Sequence, residues 1–122
     1  MKVSDLKGAQ LDYWVAKAEG IPVDMEGGDC WHASAPGETV DGADFYCPSS
    51  EWALAGPIIE RERINVECWP DSNRPSSERA VFWAATRWGL EPRPDVHAEG
   101  STPLIAAMRC YVGSKFGEEV SE

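Results

Sequence analysis

The chemistry open to this sequence lies in indole rings, guanidinium groups and hydroxyls at helix starts. Six tryptophans in 122 residues are more aromatic surface than a core of this size readily hides. The spacing around Trp14 assigns that ring to the core, and Trp31 and Trp69 belong on strand faces. Trp52, Trp83 and Trp88 remain as rings to expect at a surface. An exposed indole stacks on a nucleobase, contributing about 1 to 3 kcal/mol per base, and a nearby guanidinium forks onto the attached phosphate. Ser49, Ser50 and Thr102 each stand before a predicted helix. There, unpaired first-turn N–H groups and a hydroxyl form an anion-receptive end. If these helix starts converge with Trp52, Trp83, Trp88, Arg61 and Arg109, they line one pocket for a nucleotide-sized ligand. Taken singly, each residue also has an ordinary role. The hydroxyls cap, the rings pack, and the arginines make surface ion pairs worth about 0 to 1 kcal/mol each.

Other chemistries find less support. His32 and His97 are the only histidines. Cys30 and His32 have no second close ligand pair, and no two cysteines have C-x-x-C spacing, so no metal is expected. A hydrolase needs a base within reach of a nucleophile such as Ser34, Ser49 or Cys47, which sequence alone cannot place. No nucleophile elbow, phosphate loop or dinucleotide fingerprint is present. The expectation is a protein that is not an enzyme and carries no cofactor. Cys30, Cys47, Cys68 and Cys110 read as small buried hydrophobes of a reducing compartment.

The elements that must position these residues follow from periodicity and turn chemistry. Residues 7–19 form a helix, since Leu11, Trp14, Val15 and Ala18 fall on one stripe; Gly20 ends it and Pro22 prevents its resumption. Glu26-Gly27-Gly28-Asp29 is a turn. Residues 30–33 are a short strand, and Phe45-Tyr46-Cys47 is the strand returning to it. Pro36-Gly37 and Asp41-Gly42 place a loop between them. Ser49 and Ser50 cap a helix that Gly56-Pro57 breaks into two short turns. Ile64 to Trp69 alternates like a strand with one buried face. Residues 70–77 make a long turn, and residues 79–88 return as the partner strand, although their alanines also allow a helix. Residues 89–100 have no periodicity and should cross the surface. Ser101 or Thr102 caps the last helix and Pro103 opens it. Leu104, Ile105, Met108, Tyr111, Val112 and Phe116 share one face, and Gly117 closes it. Residues 118–122 form an acidic, frayed tail.

The net charge is −10, and its distribution is uneven. Between Gly20 and Glu60 there is no Lys or Arg, while beyond Glu60 the cations are nearly all arginine. Such a chain repels duplex nucleic acid, whose binding needs many cations to replace condensed counterions. No run is long and apolar enough for a membrane span, and residues 1–5 lack a secretory core. The expectation is a cytoplasmic protein without membrane or duplex partners.

Three blocks carry a resemblance: residues 11–20 (LDYWVAKAEG), residues 48–53 (PSSEWA) with Gly56-Pro57-Ile58-Ile59-Glu60-Arg61, and residues 102–109 (TPLIAAMR). In this order they resemble the NinX-like family of phage and prophage proteins, and they span almost the whole chain. The loops 26–44 and 71–100 carry no signature of that family. The resemblance implies a small, non-essential phage accessory protein, of a kind that often counters host defence. It brings no catalytic residues.

The sequence therefore predicts one α+β domain over residues 1–122. A small, mainly antiparallel sheet should pack against the N- and C-terminal helices, with a short broken helix between. Function is expected to be sequestration of a small phosphorylated nucleotide signal of host immunity by a homo-oligomer. The alternative is an acidic inhibitor of a basic host protein, in one form a mimic of DNA charge, and a small hydrolase stands third.

Overall fold

The computed structural model describes residues 1–32, 46–70, 81–88 and 95–121. A 3-10 turn at Val3–Asp5 leads into helix α1, Gly8–Glu19, followed by strands β1, Val23–Glu26, and β2, Asp29–His32. Helix α2 spans Trp52–Glu62. Strands β3, Ile64–Pro70, β4, Val81–Arg87, and β5, Val96–Gly100, precede helix α3, Pro103–Phe116. The described residues thus form three helices and two antiparallel sheets, β1-β2 and β3-β4-β5. This is an α+β fold.

Helix α3 is the axis of the packing. It touches all three strands of the larger sheet as well as α1 and α2. Thr102 caps it, its hydroxyl accepting the Ile105 N–H at 3.1 Å, and Pro103 follows in the first turn, as expected. The apolar face is wider than its spacing suggested. Ala106, Ala107 and Cys110 are buried along with Leu104, Met108, Tyr111 and Val112, while Phe116 is exposed. A helix clad on several sides loses the one-sided pattern of a surface helix.

Strand alternation fixes the sheet's inner face. Ile64, Val66, Trp83, Ala85, Val96 and Ala98 join or pack against the core, whereas Asn65, Glu67, His97 and Glu99 are exposed. The register sets Val66 opposite Ala85 and Ala85 opposite Ala98. Gly100 ends β5 where the start of α3 crosses close by: a Cβ there would lie 2.7 Å from the Ala106 nitrogen.

Several expectations are corrected. Strand β2 pairs with β1, not with the segment before Cys47, because Gly27 and Gly28 both take positive φ (63° and 82°). That two-residue turn matches the twist of adjacent strands. Among the described residues the Tyr46 N–H donates to the Cys30 carbonyl, at 2.9 Å; the loop proposed for residues 34–44 and Phe45 lie outside the described residues. The expected break at Gly56-Pro57 is absent, and α2 runs through Pro57. Pro57 removes one donor, to the carbonyl four residues back at Ala53. Ala53 is exposed, so water can serve that carbonyl, while buried Ala55 and Ile58 hold both sides of the proline.

Residues 96–100, expected to be irregular, form β5. The tail is also held, not frayed: the Val3 N–H donates to the Glu118 carbonyl, the Val120 N–H donates to the Met1 carbonyl, and Val120 is buried. Of the cysteines, Cys30 and Cys110 are buried, Cys47 is half-buried and Cys68 is exposed, so burial holds for only part of that set. The turn expected from Asp71 onward lies outside the described residues.

Candidate functional site

The three helices begin around one hollow. Gly8 and Ala9 of α1, Trp52 of α2, and Thr102, Pro103, Leu104 and Ile105 at the start of α3 all line a cavity of about 670 Å³. Asp12, Asp29, Cys30, Tyr46, Cys47, Ser49 and Ser50 complete its wall. Each helix directs unpaired N–H groups and the positive end of its dipole toward its start. Residues from all three helix starts thus share one wall with two carboxylates, Asp12 and Asp29.

Asp12 organises the wall before α2. It is 4% exposed, and its Oδ1 accepts the Ser49 N–H at 2.8 Å. Burial raises the Asp12 carboxyl above its ordinary range, against the lowering effect of the hydrogen bond from Ser49. Beside it the Ser50 and Glu51 N–H groups both donate to the Cys47 carbonyl, at 3.0 and 2.9 Å, and the Ser50 hydroxyl turns to the same oxygen at 3.4 Å. The residue that caps α2 is Glu51, with no side-chain capping bond. Ser49 and Ser50 are therefore turn residues on the cavity wall, a correction to the caps expected there. Trp52 opens the helix and is 57% exposed. Burial also lifts the Cys30 thiol, to about 11, and raises Cys47, so neither is a ready thiolate at neutral pH.

The cavity collects Ser49, Ser50, Trp52 and Thr102 from the residues that sequence reasoning singled out, and leaves out the other four. Arg61 lies at the far end of α2, its guanidinium forked onto Glu19 at 3.0 and 2.7 Å, with Nε donating to Glu62 at 2.9 Å. Those carboxylates raise its pKa further. Arg109 is tied to backbone, donating to the Leu6 carbonyl at 2.7 Å and the Glu99 carbonyl at 2.8 Å, and it borders separate hollows beside β5. Trp83 packs half-buried against the core. Trp88 is 65% exposed just after β4, away from this wall.

Sequence reasoning placed the start of α1 at residue 7, beside the observed Gly8, but assigned neither that start nor Asp12, Asp29 or Tyr46 to a site. His97 pairs with Thr86 across the strands, its Nδ1 3.2 Å from the hydroxyl, and its Nε2 lies 3.6 Å from Glu99. Ser34 lies outside the described residues.

The described residues thus form a small α+β domain whose helix starts line one hollow with Trp52 at its rim. The family model described as bacteriophage P22 NinX matches residues 2–115, and the chain belongs to that phage family. Among curated proteins, none matches the chain. No helix among the described residues is long and apolar enough to cross a membrane.

Proposed function

We propose that this phage accessory protein is a non-catalytic anti-defence binder that sequesters a small nucleotide-derived immune signal. It would work in the cytoplasm of the infected bacterium, as a homo-oligomer. The observation that carries this reading is the meeting of three helix starts and the exposed Trp52 ring on one cavity of about 670 Å³. That volume is in the usual range of small-ligand sites. The indole offers a stacking surface for a base, and the helix starts offer N–H groups and positive dipole ends to a phosphate. The cavity differs from the expected one in lacking a guanidinium. With Asp12 and Asp29 on its wall, it favours ligands whose base and sugar donate hydrogen bonds. A thermal-shift screen with cyclic dinucleotides and cyclic ADP-ribose isomers tests the reading. Stabilisation by at least one of them is expected, and a flat response to all would count against it.

A second reading is an acidic inhibitor that engages a basic host protein by imitating DNA charge. It is favoured by the way the fold uses its cations. Arg61 is paired with Glu19 and Glu62, Arg87 and Lys115 also approach Glu62, and Arg109 is bound to carbonyls. Much of the remaining surface charge is then negative, which steers basic partners and weakens with salt. Capture of a DNA-binding host protein that is released both by salt and by duplex DNA would support this reading over the first.

A further inference from the structure

We infer that the ligand in this cavity carries a guanine-type base, read by the carboxylate of Asp29. The inference rests on the sequestration reading above and specifies the ligand's class. The fold consumes most polar side chains on the wall: Asp12 holds the Ser49 N–H, Ser50 turns to the Cys47 carbonyl, and Thr102 takes the Ile105 N–H. Tyr46 and Cys47 have partners of their own. Among the described residues Asp29 is the one carboxylate on the wall without an internal hydrogen bond or ion pair. It is exposed at the first position of β2, where pairing with Glu26 across the Gly27-Gly28 turn fixes its backbone.

A carboxylate only accepts, and its two oxygens suit two parallel N–H donors. Guanine presents N1–H and its exocyclic amine side by side. The corresponding edges of adenine and cytosine set an acceptor beside their amine, which would face a carboxylate oxygen across an unfavourable contact. Trp52 on the same cavity supplies the face on which such a planar ring stacks. The phosphate end of the molecule is then left for the helix starts.

Calorimetric titration of the full chain with GMP, IMP and AMP tests this. IMP keeps N1–H and lacks the exocyclic amine, so GMP should bind about tenfold more tightly than IMP, in line with one hydrogen bond to a charged group, and AMP should bind most weakly. Asp29→Asn, which keeps the shape and replaces one acceptor by a donor, should bring the GMP to IMP ratio close to one without moving the melting temperature. Equal binding of GMP and IMP, or a ratio unchanged in Asp29→Asn, overturns the assignment; a carboxylate bound to the ribose hydroxyls would give the first of these. If none of the three binds while a cyclic signal without guanine does, the guanine assignment falls and the sequestration reading stands. If nothing in either set binds, both fall.

Discussion

At the scale of single residues, Glu19 shows why the arginines did not reach the cavity. Its carboxylate accepts both the Arg61 fork and the buried Tyr111 hydroxyl, the latter at 2.6 Å, and the Arg61 bonds chiefly hold it below its ordinary range. A carboxyl lowered on folding stabilises the fold fully above its unfolded value, 4.5, and loses that contribution as pH falls through the folded value. Glu19→Gln should therefore cost about 1 to 3 kcal/mol at neutral pH. The gap from the parent chain should narrow as pH falls below 4.5, as read from denaturant midpoints at pH 7 and at successively lower pH; a gap that stays constant would deny the linkage. Asp12 acts in the opposite sense. Its pKa is raised by burial, so its contribution favours the fold below 3.8 and is lost as pH rises through the folded value. Trp52 should matter to binding alone: Trp52→Ala on this exposed ring is expected to change stability by no more than about 0.5 kcal/mol. The candidate residues were legible as types, since Trp52 and Thr102 do meet at one cavity. Their arginine partners were not. Nothing in the spacing of Arg61 or Arg109 reveals that Glu19, Glu62 and two backbone carbonyls hold them.

At the scale of elements, the legible parts were those whose signals are local. Gly20 ends α1 in the left-handed conformation, at φ 72°, and Thr102-Pro103 opens α3, both as their residue types require. Thr102→Ala should remove about 1 kcal/mol, the usual worth of a side-chain cap, seen as a lower denaturant midpoint with an unchanged slope. Strand β5 was not legible, because the alternation of Val96, His97, Ala98 and Glu99 spans only four residues and follows closely on Pro92 and Pro94. It exists because β4 offers an edge and α3 covers Val96 and Ala98. The close crossing at its end gives a sharper test. In Gly100→Ala the added Cβ would meet the Ala106 nitrogen at 2.7 Å and Ile105 Cγ2 at 2.8 Å. Backbone cannot yield cheaply there, so about 1 to 3 kcal/mol should be lost. The same shift should disturb the α3 side of the cavity, since Ile105 lines it.

At the scale of the whole molecule, acidity and family are the broadest facts. In a chain of net charge −10, Arg61, Arg87 and Arg109 among the described residues are engaged within the fold. The central claim is that this one cavity captures a small nucleotide-derived molecule, and isothermal titration of the best ligand from the cyclic nucleotide screen against the parent chain and Trp52→Ala tests it most directly. The account predicts saturable binding with a defined stoichiometry in the parent chain and at least tenfold weaker binding in the variant, the loss expected for one stacking ring. Equal affinity in the two proteins, or no heat of binding from any ligand of the screen, would contradict it.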